Sequence, residues 1–296
     1  MPIPPSEKAL PARNNPRSRP RHPQESRMHK MHPARFFQFQ VQFKIQPQFK
    51  RLHPPSQTHL RSPHAKLSRM KQTPQPVSNS TARAAIALDC EMVGVLETTP
   101  GSYTREQSEV VRVVAIDFLT GEVLLDTYVS PLGRVISWRT KYSGVNAFIL
   151  AQKKREKRVL SGGWTAAREA LYRFIDADTV LIGHGLNNDL AVLGMVHSRV
   201  VDSAVLTRVA VGEDCQRHWK LRTLVGEFLG LAIQAGDGKD GHDCVEDTFA
   251  AREVVLWCLL NEDRLQNWAA NERGIIDGKK GKKVSVAHGE DNEVPT

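Results

Sequence analysis

Ala-Leu-Asp-Cys-Glu-Met-Val-Gly, residues 87–94, sets two carboxylates in an otherwise apolar run. Side chains alternate between the two faces of a β-strand, so Asp89 and Glu91 are predicted to point the same way. No Lys or Arg stands between them, and two like charges in a half-buried setting repel each other unless a cation lies between them. The run therefore predicts a strand that carries a metal site. A turn or cap role is the structural alternative for Asp89.

The pattern on both sides of this run predicts an α/β domain. Apolar periodicity predicts three strands with short connections and a tight turn at Thr120-Gly121, which together form an antiparallel meander. Beyond Pro131, short strands alternate with helices, which favours a mixed central sheet of five strands flanked by helices on both sides. The predicted strands are 84–92, 109–118, 122–129, 179–182 and 200–202, and the predicted helices pass through 153–158, cover 164–175, follow a cap at Asn187 or Asn188, cover 221–229 and run from 243 to about 260.

Two further carboxylates fall on apolar helix faces. Asp189 has apolar residues three, four and seven positions after it, and Asp247 has apolar residues four, seven and eleven positions after it. Asp243-x-x-Glu246 predicts a capping box at the start of the second of these helices. Each carboxylate could be a cap or a paired buried acid, but a charge on a buried face is costly when nothing compensates it.

Four carboxylates thus stand where an apolar or buried residue is expected: Asp89, Glu91, Asp189 and Asp247. Binding of a divalent cation would explain all four. For Mg²⁺, a protein typically supplies a few carboxylates and leaves the remaining positions to water and substrate phosphate. Two such ions can clamp the attacking and leaving oxygens of a phosphodiester. His242, five residues before Asp247, has a reference pKa suited to taking a proton from the attacking water.

The order of these motifs resembles that of the 3′-to-5′ exonucleases of the DEDD superfamily, which have a ribonuclease H-like (RNase H-like) fold. The His-x-x-x-x-Asp spacing from His242 to Asp247 is that of the histidine branch, since the tyrosine branch has Tyr at the place that Asp243 holds here. Asp-Cys-Glu-Met-Val-Gly and the later Tyr-Ser-Gly-Val, residues 142–145, are similar to the eukaryotic RNA exonuclease 4 and interferon-stimulated exonuclease group. The resemblance covers roughly residues 84–262.

The resemblance implies a role for each of five residues. Asp89, Glu91 and Asp247 are expected to bind the tightly held ion. Asp89 and Asp189 are expected to hold a second ion, and His242 is expected to be the general base. The implied cofactor is a pair of Mg²⁺ ions, for which Mn²⁺ can substitute.

The resemblance also implies a substrate and a reaction. Met92 and Val93 match the segment that lies against the terminal nucleotide. The expected reaction is hydrolysis of single-stranded RNA from its 3′ end to nucleoside 5′-monophosphates, in ribosomal RNA processing in the nucleus or nucleolus. DNA as a substrate, and a nucleic-acid-binding module without catalysis, are the alternatives.

Charge and proline divide the chain into three parts. Residues 1–80 carry 15 Lys and Arg against two acids, with 14 of the 17 prolines, whereas the other 216 residues have 26 basic and 30 acidic side chains. The overall net charge of +9 therefore belongs to the N-terminal part. This composition predicts a disordered basic tail over 1–80, an exonuclease domain over 81–270 and a second disordered tail over 271–296.

The basic tail favours nucleic acid as its partner or nuclear import as its role. Its prolines oppose the amphipathic helix of a mitochondrial transit peptide. Within its Phe/Gln stretch at 36–49, residues 37–46 alternate Phe, Val or Ile with Gln or Lys, which fits an added strand, a surface for single-stranded nucleic acid or a solvated linker.

The four cysteines and the absence of a long apolar run predict a soluble, monomeric protein in a reducing compartment, with no membrane partner. Cys215-x-x-His218 and His242-x-Cys244 could together form a zinc site, but their spacing is irregular.

Overall fold

A computed structural model describes residues 67–78, 80–97, 105–234 and 241–287. Most of the basic tail, including the Phe/Gln stretch at 36–49, lies outside the described residues, so the predictions for it are not addressed by the structure. Among the described residues, no helix combines the length and apolar character needed to cross a bilayer.

A mixed sheet forms the centre of the fold, as predicted. The strands of the described residues are β1 (Lys71–Gln72), β2 (Ala85–Glu97), β3 (Arg105–Asp117), β4 (Val123–Val129), β5 (Arg134–Ser137), β6 (Val159–Leu160), β7 (Val180–Gly183), β8 (Met195–Val196) and β9 (Val200–Asp202). The central sheet has the order β6-β4-β3-β2-β7-β9, and β5 also pairs with β2. The five predicted strands are present. Two short strands that the sequence did not predict, β5 and β6, bring the number to seven.

The pairing directions follow the prediction. β2, β3 and β4 form the antiparallel meander, in which Glu91 lies opposite Arg112. β7 runs parallel to β2, and β9 runs parallel to β7. β2 and β3 extend further than expected, to Glu97 and from Arg105, because their hairpin arms continue pairing beyond Gly94.

Helices cover both faces of the sheet. They are α1 (Thr140–Ser143), α2 (Ala147–Arg155), α3 (Gly163–Leu171), α4 (Asn187–Leu193), α5 (Ser203–Val211), α6 (Leu221–Leu229), α7 (Cys244–Leu260) and α8 (Glu262–Ala287). α3 and α4 pack on the side chains of Ile86 and Leu88, and α7 lies against β2, β3 and β7. Most of α7 is buried, and its buried residues include Arg252 and Glu253, which pair with each other.

The predicted C-terminal tail is wrong over most of its length, because α8 continues through 271–287. Its inward face carries Leu265, Trp268 and Glu272 at helical spacing, and Glu272 is buried. Glu272 accepts a hydrogen bond from Trp219 Nε1 at 3.0 Å, and the Trp268 ring packs edge-on against Phe228. The sequence did not predict these contacts because the segment is mostly polar.

The predicted domain boundary at residue 80 is too late. β1 pairs in parallel with β8, outside the central sheet. Thr73 is buried; its hydroxyl donates to the Val196 carbonyl at 3.1 Å and contacts His197 Nδ1 at 3.0 Å. The part of the chain from residue 67 onward therefore packs on the exonuclease-like domain.

The predicted cap of α4 is also wrong. Asn187 is already helical, and no side chain caps the preceding Leu186. The carboxylate of Asp202, at the end of β9, instead accepts the backbone N–H groups of Gly185 at 3.0 Å and Leu186 at 2.8 Å. A residue distant in sequence satisfies the helix start, so the local pattern could not reveal it.

Candidate active site

Asp89 and Glu91 lie on the same face of β2. One carboxylate oxygen of each, together with the Cys244 sulfur, falls in a group whose atoms all lie within 4.8 Å of one another. Burial, followed by repulsion from Asp89 and Asp247, raises the pKa of Glu91 to about 9. Burial, followed by repulsion from Asp247, raises the pKa of Asp89 to about 7. The strand therefore holds two carboxylates whose negative charge the surrounding protein does not compensate.

Arg112 is a site residue that the sequence did not reveal. It lies opposite Glu91 on β3 and forms ion pairs with Asp126 at 3.0 Å and Asp243 at 3.2 Å. Its charge lowers the pKa of both Asp89 and Glu91, but burial and repulsion outweigh it. Only the strand register brings this arginine to the site.

Asp189 joins the site from α4. Its side chain is buried, and Oδ1 accepts the backbone N–H of Cys90 at 3.0 Å, which places the carboxylate beside the backbone between the two strand acids. Burial and then repulsion from Asp89 raise its pKa well above the ordinary value. The predicted apolar face extends only to Leu193, because α4 ends there and Val196 lies in β8.

Asp247 and His242 form the other side of the site. Asp247 is buried in the first turn of α7, and His242 Nδ1 lies 3.2 Å from its Oδ2. The hydrogen bond to Asp247 is the main cause that raises the pKa of His242. Repulsion from Asp247 in turn raises the pKa values of Asp89 and Glu91. These carboxylates therefore share one pocket, although Asp247 lies outside the tight group on β2.

Only half of the predicted capping box forms at α7. Asp243 caps the helix, accepting the Val245 N–H at 3.0 Å. Glu246 does not reach back to Asp243; it accepts the backbone N–H of Gln234 at 2.9 Å. This contact ties the chain before the loop to the first turn of the helix.

The segment around α1 supports His242 directly. The Tyr142 carbonyl accepts the His242 backbone N–H at 3.0 Å, and the two rings lie edge to face with centroids 6.2 Å apart. Gly241, at φ 72°, approaches this segment so closely that a Cβ would lie 2.4 Å from backbone atoms of Gly144 and Thr140. The Tyr-Ser-Gly-Val motif thus positions the histidine, a role that its sequence alone did not show.

Gln234 is another site residue that the sequence did not reveal. Its side-chain amide nitrogen lies 2.9 Å from Asp247 Oδ1 and 3.1 Å from Oδ2. It follows a short apolar segment after α6 and has no motif signal. Packing of that segment against α7 brings it to the carboxylate.

The two expected nucleotide contacts differ in accessibility. The Val93 side chain is fully buried in a cluster with Val111 and Val145, so the expected contact of this residue with the terminal nucleotide would be made by its backbone and stays a prediction. Met92 is only partly buried and packs at the border of the cluster that contains Cys90. Its contact with the terminal nucleotide stays a prediction.

The zinc alternative is not supported. Among the described residues, Cys215 and His218 form no metal-binding group with His242 and Cys244. Burial raises the pKa of the Cys244 thiol, and this thiol donates to the Asp89 carbonyl at 3.4 Å. A donor set of buried carboxylates fits a hard divalent cation such as Mg²⁺ or Mn²⁺ better than zinc.

Relatives of known sequence are named as exonucleases. No protein-family model matches the chain. It is 30% identical over 190 residues to RNA exonuclease 3 of Candida albicans, covering 64% of this chain and 41% of that protein. It is 34% identical over 188 residues to RNA exonuclease 1 homolog of Homo sapiens, covering 64% of this chain and 14% of that protein. The chain thus spans less than half the length of these relatives.

Solved structures show the same fold. The pseudoubiquitin hydrolase-RNA exonuclease module of Saccharomyces cerevisiae Pan2, in complex with AAGGA RNA, aligns with a TM-score of 0.53 at 20% identity, covering 71% of this chain and 35% of that chain. The Pan2 catalytic unit of Neurospora crassa aligns with a TM-score of 0.52 at 17% identity, covering 78% of this chain and 34% of that chain. The predicted RNase H-like fold is confirmed.

The resemblance to DEDD exonucleases is confirmed by these relatives together with the fold. The narrower likeness to the RNA exonuclease 4 group stays a prediction, since the relatives carry the names RNA exonuclease 1 and 3.

Proposed function

We propose that the domain is a divalent-metal-dependent exonuclease that removes nucleotides from the 3′ end of single-stranded RNA. One observation carries the proposal: four carboxylates from β2, α4 and α7 converge on one pocket beside His242. Three of them have raised pKa values, so the pocket gains most from a cation that compensates the charge.

The carboxylates divide the metal-binding task. Asp89 and Glu91 offer oxygens from a rigid strand, and Asp247 adds one from α7. Asp189 adds an oxygen beside Asp89 for a second ion. Bound Mg²⁺ or Mn²⁺ ions lower the pKa of water and stabilise the charge that develops on the phosphate.

His242 is the base in this proposal. The contact between Nδ1 and the Asp247 carboxylate orients the ring and favours the proton on Nδ1. Nε2 is then the nitrogen that can take a proton from the attacking water. The hydrogen bond from the His242 backbone N–H to the Tyr142 carbonyl fixes the backbone position from which the ring extends.

The choice of RNA rests on the relatives and on charge. Two of them are named RNA exonucleases, and the Pan2 module was solved with AAGGA RNA. The 13 Lys and Arg residues of positions 1–66, against two acids, supply a sequence-independent attraction to phosphate. We further propose that the protein acts as a monomer in the nucleus or nucleolus, on ribosomal RNA precursors. A fluorescent fusion that stays outside the nucleus would contradict this location.

A nuclease assay tests the proposal. The full chain is incubated with a 5′-labelled single-stranded RNA and Mg²⁺ or Mn²⁺. We expect shortening from the 3′ end with release of nucleoside 5′-monophosphates, and no reaction in EDTA. Asp89→Ala should abolish the reaction, whereas Asp178→Ala, at an exposed acid paired only with Arg199 on the surface, should not. Unchanged cleavage by Asp89→Ala would contradict the proposal.

A matched DNA strand in the same assay decides the sugar preference. We expect RNA to compete far better than DNA. A large preference for DNA would reassign the substrate while leaving the metal-dependent chemistry in place.

A further inference from the structure

Gln234 contacts both groups that form the α7 side of the site. Its side-chain amide nitrogen lies 2.9 Å from Asp247 Oδ1, 3.1 Å from Asp247 Oδ2 and 3.3 Å from His242 Nδ1. The amide donates to the carboxylate, and it acts on the imidazole through that carboxylate, because Nδ1 directs its own proton toward Asp247 and cannot accept another. Among the described residues, no other amide side chain is shown in contact with either group.

The backbone of Gln234 is held in an unusual conformation. Its φ is 53°, in the left-handed region that a non-glycine residue adopts only at a cost. Its N–H donates to Glu246 Oε2 at 2.9 Å, and the preceding Ile233 is buried. Two separate contacts, one from the backbone and one from the side chain, thus tie Gln234 to neighbouring residues of the same helical turn.

The contact leaves Asp247 able to bind an ion. A carboxylate has about four acceptor positions, and the amide group has two N–H donors. One edge of Asp247 can therefore be fixed by the amide while another oxygen lone pair faces the pocket that contains Asp89 and Glu91. Without Gln234, the only side-chain contact left to the carboxylate among the described residues would be the one with His242, and both side chains could rotate together.

We propose that Gln234 is a positioning residue that fixes the Asp247 carboxylate and, through it, the His242 ring, so that ion binding and proton removal occur in one geometry. This inference rests on the proposed function. It predicts that Gln234 acts on the affinity for the ion and on turnover, and not only on folding. Partners that orient metal ligands typically change metal affinity or activity by about 10- to 100-fold.

Calorimetric titration of the full chain with Mn²⁺ tests the inference without relying on activity. We expect Gln234→Ala to weaken Mn²⁺ binding about 10-fold or more. Gln234→Glu, which keeps the shape but replaces the donors with a charge beside Asp247, should weaken it further. Gln216→Ala is the matched control, because within the described part of the chain that exposed amide contacts only the Asp214 carbonyl, at 3.4 Å.

Thermal melting in EDTA separates positioning from folding. If Gln234 were only structural, both variants would lower the melting temperature but bind Mn²⁺ like the wild type once folded. Unchanged or tighter Mn²⁺ binding by Gln234→Ala would overturn the inference. Failure of the wild-type chain to bind Mn²⁺, with Asp247→Asn indistinguishable from it, would instead overturn the proposed function.

Discussion

The two sides of the site are built differently. Asp89 and Glu91 stand on β2, which pairs with β3 on one side and β7 on the other, so the backbone ladder fixes them. His242 and Asp247 stand at the start of α7 and depend on contacts with Tyr142 and Gln234. The strand side takes its geometry from regular pairing, whereas the helix side takes its geometry from a few individual hydrogen bonds.

This difference separates binding from chemistry. A change on the strand side should remove the ions and with them all activity. On the helix side, a change at His242 should leave ion binding largely in place and act on the proton transfer, whereas a change at Asp247 or Gln234 should weaken ion binding as well. The variants below test that division, beginning with the largest expected effect.

Glu91→Gln should have the largest effect. We expect activity to fall by about 10⁴-fold or more, the scale of loss for a residue that the chemistry requires. In EDTA at neutral pH the same variant should melt about 2–4 °C higher, corresponding to ~1 kcal/mol in a domain of this size, because a carboxylate with a pKa of about 9 in the folded protein must take up a proton on folding and the neutral amide need not. Activity assays and thermal melts check the two signs. A loss of both activity and metal-free stability would show that Glu91 has a structural role instead.

His242→Ala should lower activity by about 10²- to 10⁴-fold, the usual range for a general base, and should leave Mn²⁺ binding close to that of the wild type. Single-turnover rates and calorimetry measure the two quantities. The control is His218→Ala, because His218 is an exposed histidine in the segment just before α6. Near-full activity in His242→Ala at neutral pH would remove this residue from its proposed role.

Gly241→Ala should lower turnover by about 10- to 100-fold, because backbone strain and displacement on the order of 1–3 kcal/mol would move His242 away from the Tyr142 carbonyl. Its Cβ would lie 2.4 Å from Gly144 and Thr140. Gly230→Ala is matched to it in φ, 65° against 72°, but its Cβ would meet nothing within 4 Å. The control should lose stability and keep turnover. Equal turnover in both variants would contradict the inference that the close contact between Gly241 and the α1 segment positions His242.

Removal of residues 1–66 should have the smallest effect on the site. We expect weaker RNA binding at low salt, a smaller salt dependence and an unchanged melting temperature. Removal of residues 1–80 should also lower the melting temperature, because it deletes β1 and the buried Thr73. Filter binding and thermal melts distinguish the two truncations. Equal melting temperatures would show that the segment from residue 67 adds nothing to the domain.

Local sequence pattern gave much of the fold. The meander formed as predicted because β2 and β3 are largely apolar runs that are buried on both faces, and Leu221–Leu229 matched its predicted bounds because its apolar spacing is regular. α8 was missed because its inward face is sparse and includes the buried Glu272. Composition alone does not predict the burial of a polar side chain whose partner is distant in the sequence.

The sequence by itself determined that Asp89 and Glu91 share a strand face, since a period of two leaves no other arrangement, and it marked Asp189, Asp247 and His242 by their order and spacing. Only the tertiary structure decided which groups complete the site. Strand register places Arg112 at the site, and packing against α7 places Gln234 there. The close approach of Gly241 to the α1 segment brings His242 to the Tyr142 carbonyl. Those contacts join residues between 13 and 100 positions apart, and they are set by the fold and not by any local pattern.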